Sequence, residues 1–136
     1  MIRSILTVIV GILSGSATVW VLQLAGHRLY PAPAGVDLNN IEALKQYVAT
    51  APTGMLLSVL AAWAGGAFVG GLVAALLSES RRGLHALAVG ALQTAFAVAQ
   101  FTIIPHPLWF MVLGVTIFLP LAGLGGLLVG REPTPT

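Results

Sequence analysis

Apolar positions run almost without interruption through residues 4–26, 55–77, 84–104 and 108–130, and every Asp, Glu, Lys and Arg falls between or beyond those runs. Each run is about 21 to 23 residues long, the length an α-helix needs to cross a hydrocarbon core of roughly 30 Å. The pattern predicts an all-α integral membrane protein with four transmembrane helices over those ranges. The first run follows Arg3 and carries small residues at Gly15 and Ala17, as a secretory signal would. It is longer than the apolar core of about 7 to 15 residues that such signals have, so it is expected to be retained as a span.

Residues 27–54 form the one long polar interval. Its first part, "HRLYPAPAGVD", uses Pro31, Pro33 and Gly35 to hold the chain extended or turned. Its second part, "LNNIEALKQYV", repeats Leu38, Ile41, Leu44 and Val48 at helical spacing, and Asn39 followed by Glu42 reads as a capping box. A short amphipathic helix is expected there, lying flat with Tyr47 at the membrane interface; its simplest role is a lid over the bundle end. The corner "IIPHPLWF" is tighter. Each proline pushes its predecessor out of the α region, so Ile104 ends the third helix, His106 is extended and Pro107 suits the first turn of the fourth. Tyr30, Tyr47, Trp109 and Phe110 are the expected interface anchors.

Composition agrees with the pattern. The 136 residues suit a single membrane domain, 1–136; 57% are hydrophobic and 7% charged, far from a soluble chain. Sixteen glycines and eight prolines are tolerable where neighbouring helices satisfy and pack the backbone. With no cysteine, disulfide and thiolate chemistry is excluded, and a net charge of +2 is too small for a nucleic-acid surface. The bases give the orientation. Arg3, Arg81, Arg82 and Arg131 fall on one side against Arg28 and Lys45 on the other, so both termini are expected to be cytoplasmic. Residues 27–54 and the corner at 105–107 then share the outer face.

Small residues repeat every four positions as Ala62, Gly66, Gly70 and Ala74 in the second run and as Ala122, Gly126 and Gly130 in the fourth; Gly11 and Gly15 make a shorter stripe in the first. Such stripes let helix backbones approach closely, either within the chain or against another subunit or a second copy. "AFVGGLVAAL" and "AGLGGLLVG" echo each other, too briefly to be a repeat.

No span contains Asp, Glu, Lys or Arg, which removes the usual coupling site of proton- or sodium-driven transporters, including the glutamate of small four-helix drug antiporters. No catalytic residues are predicted, since serine triads, paired carboxylates and zinc spacings are all missing, and no metal site is predicted. The bulky and polar residues Trp20, Trp63, Trp109, Gln23, Gln100 and Phe101 crowd the outer half. Gln93 and Gln100 share one face of the third helix, Gln93 near mid-membrane. An amide at that depth needs a partner, by default the hydroxyl of Thr18 or Ser58. The sharper alternative has glycines closing the inner half while aromatics wedge the outer half apart. That leaves a pocket lined by Trp20, Trp63, Gln93 and Gln100 for a lipid, quinone or pigment. His27 and His106 both fall at the outer side and could approach each other as ligands, although capping and surface roles are simpler. The end of the fourth helix disfavours charge on His106. His85 opens the third helix beside Arg81 and Arg82 as an interfacial residue.

The segments "LYPAPAGVD", "AAWAGGAFVGG" and "PHPLWF" resemble those of an uncharacterised family of small bacterial four-helix inner-membrane proteins. The resemblance implies a multi-pass protein of the bacterial inner membrane and a shared architecture, with no implied activity. From the residues alone, the expected function is that of a non-enzymatic accessory subunit packing into or assembling a larger inner-membrane complex, of the respiratory or photosynthetic kind. The expected partners are the lipid bilayer and other membrane subunits or the chain itself, with no cofactor required. The alternatives are a homo-oligomeric small-solute channel or transporter with its path along Gln93, Thr94 and Gln100, and a carrier binding lipid, quinone or pigment at the outer leaflet.

Overall fold

The computed structural model describes residues 1–130, and within them the chain is helical, with no strand. The elements are α1 (Ile2–Leu29), α2 (Ile41–Thr50), α3 (Thr53–Leu77), α4 (Arg82–Ile103), α5 (Leu108–Thr116) and α6 (Phe118–Leu128). Four stretches are long and apolar enough to cross a membrane: α1, α3, α4, and α5 with α6 taken together as Leu108–Leu128. These are the four runs seen in the sequence, with shifted ends. α1 continues three residues past Gly26, taking His27 and Arg28 into its last turn. α4 starts at Arg82, two residues early, after Arg81 adopts a left-handed backbone (φ 56°, ψ 40°).

α3 is the central helix. Half of its most apolar window is buried, against 17% for α1 and 28% for each of the other two. It packs against α1, α4, α5 and α6, while α1 also meets α4 and makes no comparable contact with α5 or α6. The four spans therefore form a rhombus with α3 and α4 on its short diagonal.

The small residues explain why these helices can come so close. Facing α1, a Cβ on Gly11 would sit 2.8 Å from the Gly70 carbonyl oxygen, and one on Gly15 would sit 2.6 Å from that of Gly66. On the other side of α3, Gly71 lies against the backbone of Ala122, and Gly125 of α6 lies against the Phe68 carbonyl. Gly126 faces Ala86, and Gly90 faces Ala122 and Phe118 across the α4–α6 contact. Ala62 and Ala74 are buried on α3. The stripes are thus used within the chain. Gly130 is the exception among the expected stripe residues: it follows the end of α6 at φ +86°, with nothing near its Cβ position, and so takes no part in packing.

The fourth run is not one continuous helix. It breaks at Ile117, three residues before Pro120, because proline has no N–H for the Thr116 carbonyl and its ring crowds that turn. Helical bonds bridge the break, from Ile117 N to Leu113 O (3.1 Å) and from Leu121 N to Ile117 O (3.2 Å), so a bent rod results.

α2 starts one residue later than the capping-box reading. Asp37 Oδ1 accepts from the Asn39 amide, forming a turn that leaves Asn40 as the cap; its side chain accepts from the Glu42 and Ala43 amides. Glu42 does not reach back to Asn39 but pairs with Lys45 at 3.0 Å. Tyr47 and Val48 are buried, and Tyr47 joins the core cluster with Met55, Leu56 and Trp63, so α2 closes over the bundle end. Tyr47 is accordingly a core residue and no interface anchor, since the proline-rich segment before it folds the chain back on the bundle. Phe110 is likewise fully buried, because the helix turn that exposes Trp109 aims its neighbour inward. Trp109 and Tyr30 stay partly exposed.

At the opposite end, Arg3 pairs with Glu79 (2.7 Å), both largely exposed, which ties the start of α1 to the α3–α4 turn. The Ser78 hydroxyl donates to the Ser80 carbonyl and accepts from Nδ1–H of His85 at 2.6 Å, fixing the same turn. Arg3, Arg81 and Arg82 therefore share one end of the bundle, opposite Arg28 and Lys45; Arg131 lies outside the described residues.

Candidate functional site

Where α1 and α4 part company, a cleft opens in the side of the bundle. Toward the Arg3 end Gly11 lies so close to α4 that a Cβ would meet Val89 at 2.9 Å. Farther along, Ile12, Ser16 and Val19 of α1 face Gln93, Phe96, Ala97 and Gln100 of α4 across a space of about 250 Å³, with Trp63 of α3 and Phe118 of α6 also lining it. Ser16, Phe96 and Gln100 are exposed and form the rim, while Trp63, Gln93, Ala97 and Phe118 are buried in the wall. No lining residue is ionisable, so the cleft offers nothing to compensate a charge.

The separation has a visible cause. Trp63 is surrounded by Phe101 (ring centroids 5.9 Å apart), Phe110 (5.4 Å) and Phe118 (5.7 Å, stacked). Gly114 makes room for this cluster: a Cβ there would lie 3.0 Å from Phe101 and 3.1 Å from Trp63. Glycine contacts hold the helices together at one level, and aromatic volume keeps them apart at the next.

Gln93 is the polar centre of the wall. It lies halfway along α4, is 7% exposed, and its Oε1 is buried with no hydrogen-bond partner among the described residues. Its Nε2 packs against Gly15, where a Cβ would meet it at 2.8 Å. The partners expected from the sequence are engaged elsewhere. Thr18 donates to Ser14 O (2.9 Å) and Ser58 to Met55 O (2.6 Å), each within its own helix. Thr94 does the same with Gly90 O (2.9 Å) and does not line the cleft. Short hydroxyl side chains on a helix reach the carbonyl a turn back more easily than a neighbouring helix.

Three of the four expected pocket residues, Trp63, Gln93 and Gln100, thus share one cleft. Trp20 does not: it is 64% exposed. At about 100° per residue it lies roughly 140° around α1 from Gly15, beyond the face that Ser16 and Val19 present to α4. Sequence reading missed Ile12, Ser16, Val19, Phe96, Ala97 and Phe118 as lining residues. For those on α1 and α4 the signal was their i+3, i+4 or i+7 spacing from Ile12 or Gln93; for Phe118 there was none, because its direction depends on the bend before Pro120.

The histidines are not brought together. His27 is exposed beside Gln23, Gly26 and Tyr30 on the α1–α3 side. His106 stacks on Phe110 (4.7 Å, 13°), meets Phe101 edge-on (5.2 Å), and donates Nδ1–H to the Ile104 carbonyl at 2.7 Å. Burial holds its pKa below the ordinary 6.5, against the opposing pull of that hydrogen bond. Among the described residues no three His, Cys, Asp or Glu side chains converge as metal ligands. No family model, curated protein or solved structure matches the chain, so the cleft's geometry carries the functional argument by itself.

Proposed function

We propose that this chain is a non-enzymatic, multi-pass protein of the bacterial inner membrane, with both termini cytoplasmic, and that its work is to hold a neutral lipophilic small molecule in the α1–α4 cleft. The observation that carries this reading is a lateral, uncharged, aromatic-walled cleft with an unsatisfied amide oxygen in its wall. Leaving a polar atom unpaired in hydrocarbon is costly, and a bound ligand with a matching group removes the cost. The inner-membrane setting and orientation rest on four apolar spans and on the excess of bases at the Arg3, Arg81 and Arg82 end.

A second reading, an accessory subunit in a larger complex, ranks below it. Of its motivations, the absence of charge within the spans, the small-residue stripes and an outer face rich in aromatics, the stripes are occupied by contacts inside the chain. What supports it is the broad apolar outer face of α1, including Ile5, Ile9, Leu13, Trp20 and Leu24, which lipid covers equally well. A channel along Gln93, Thr94 and Gln100 has less support, since Thr94 lies off the cleft.

Extraction into lipid-polymer discs followed by mass spectrometry of bound small molecules tests the proposal. One neutral lipophile at near-stoichiometric ratio is expected from the natural sequence and a marked loss from Ser16→Phe, which fills the cleft from its exposed rim. Equal retention by that variant, or no bound lipophile in either, would reject the cleft as the working site. Another membrane polypeptide in fixed ratio, with an empty cleft, would favour the subunit reading.

A further inference from the structure

We infer that the chain carries a second site, at the Arg3 end of the bundle, where Thr7 and Arg3 hold the phosphate group of a lipid headgroup or of a soluble phosphate. The inference does not depend on what fills the cleft.

The site is a small pocket between the first turns of α1 and the turn from α3 to α4, and Thr7 is the reason to take it as one that binds. Thr18, Thr50, Thr94, Thr102 and Thr116 each donate to a carbonyl of their own helix three or four residues back. Thr7 does not. It is 7% exposed and lines the pocket, and its hydroxyl has no hydrogen-bond partner among the described residues. Unlike Gln93 Oε1, its oxygen keeps some accessible surface, so the group is buried without being sealed. A hydroxyl left in that condition costs stability unless something in the pocket accepts from it.

The surroundings say what that acceptor is. Arg3 stands one turn before Thr7, about 6 Å along α1, and the exposed Ser4 lines the pocket beside it. Glu79 also lines the pocket and takes one Arg3 N–H at 2.7 Å, but a guanidinium has several, so donors remain. Both side chains are largely exposed, and an ion pair in that setting is weak enough to share its arginine. The far wall is already fixed: Ser78 is 5% exposed and its hydroxyl is engaged with Ser80 and His85. α1 and α4 both begin here, each with no side-chain cap and no acidic residue in its first turn, and their positive ends favour an anion. α3 ends here, and Arg82 Nε donates to its Ser78 carbonyl at 3.4 Å. Among the described residues Arg3, Arg81 and Arg82 share this end with Glu79 as the single acid. The missing partner is therefore an acceptor with negative charge.

Size and setting narrow it further. The space is about 60 Å³, well below the roughly 150 Å³ that holds a benzene ring, so one compact group enters. A tetrahedral phosphate presents oxygens in several directions at once, to the Thr7 hydroxyl within and to Arg3 and Ser4 at the mouth, where a carboxylate presents them in one plane. Leu77, 51% exposed, adjoins the same pocket and gives an acyl chain apolar surface beside the phosphate, which puts a lipid headgroup first of the two sources.

Native mass spectrometry of the protein in maltoside detergent tests this with two lipids of the same tails, dioleoyl phosphatidylglycerol and dioleoylglycerol. The second lacks the phosphate and counts binding by the tails alone, in the cleft included. One phosphatidylglycerol per chain is expected, held about tenfold tighter than dioleoylglycerol. Arg3→Gln is expected to remove most of that preference, and Thr7→Val to reduce it about threefold. Glu79→Gln is the control: it breaks the same ion pair but removes a rival acceptor, so binding should stay equal or tighten. If Glu79→Gln weakens binding as much as Arg3→Gln does, the ion pair merely holds the turn and the phosphate reading is wrong. Full preference in Thr7→Val would equally overturn it, and so would equal binding of the two lipids by the natural sequence, a comparison that holds even if a variant folds poorly. Competition by excess inorganic phosphate would support the pocket with a soluble source; no competition, with the lipid preference intact, supports the headgroup.

Discussion

At the scale of single residues, the fold depends on which glycines have neighbours. Gly71 lies against the Ala122 backbone, which cannot swing aside as a flexible side-chain tip can, so Gly71→Ala must push α6 away from α3. Overpacking of this kind costs about 1 to 3 kcal/mol. Gly83, in the first turn of α4, has nothing within 4 Å of its Cβ position, and Gly83→Ala should be neutral or stabilising by up to about 1 kcal/mol. Unfolding in mixed micelles should separate the two, and equal effects would mean that the α3–α6 contact is not as close as described. His106 gives a second residue-level expectation, with a defined sign. Its folded pKa is below the ordinary 6.5, so as pH falls through 6.5 the unfolded chain takes up a proton that the folded chain refuses. Stability should therefore decline as pH falls from that value toward the folded pKa, and His106 should contribute no slope at higher pH. His106→Asn should flatten that part of the profile whatever it does to overall stability through the lost stacking on Phe110. An unchanged slope would assign the decline to other groups.

At the scale of elements, α2 is a short helix whose start depends on one side chain. Asn40 satisfies two amides that would otherwise have no partner, and its replacement by alanine typically costs about 1 kcal/mol. Asn40→Ala should speed hydrogen exchange at Glu42 and Ala43 while exchange in α3 stays unchanged; a bundle that loosens throughout would show that α2 is part of the main cooperative unit. The same helix shows where sequence reading reaches its limit. Its existence was legible from the spacing of Leu38, Ile41, Leu44 and Val48, but its cap was not, because Asp37, Asn39 and Asn40 are all capable caps and only the turn geometry chooses among them. The four long helices were legible because hydrophobic length and charge exclusion are properties of the chain alone. The cleft was legible in part, since Gln93 and Gln100 share a face by period. Which way α1 turns toward α4 is a tertiary matter, and this put Trp20 outside the cleft and brought Ser16 and Val19 in. The bend at Ile117 was readable in principle from Pro120, whereas the inward aim of Phe118 depends on how the bent rod packs.

At the scale of the whole molecule, orientation decides which leaflet supplies the cleft. Its space begins near Gln93 in the middle of α4 and extends to Gln100, toward the end of the bundle that carries Arg28 and Lys45. The opposite end carries Arg3, Arg81 and Arg82, and an excess of Arg and Lys marks the cytoplasmic side. In the proposed orientation the rim faces the outer leaflet, and the proposed ligand would reach it by lateral diffusion without crossing the membrane. The chain has no cysteine, so single introduced thiols report topology without background. Ala34→Cys, in the exposed proline-rich segment, should react with a membrane-impermeant maleimide in spheroplasts, and Ser80→Cys, in the exposed α3–α4 turn, should react only after permeabilisation. The reversed pattern would turn the cleft toward the cytoplasmic leaflet. The site would stay intact in that case, but the proposed ligand would have to enter it from the cytoplasmic leaflet.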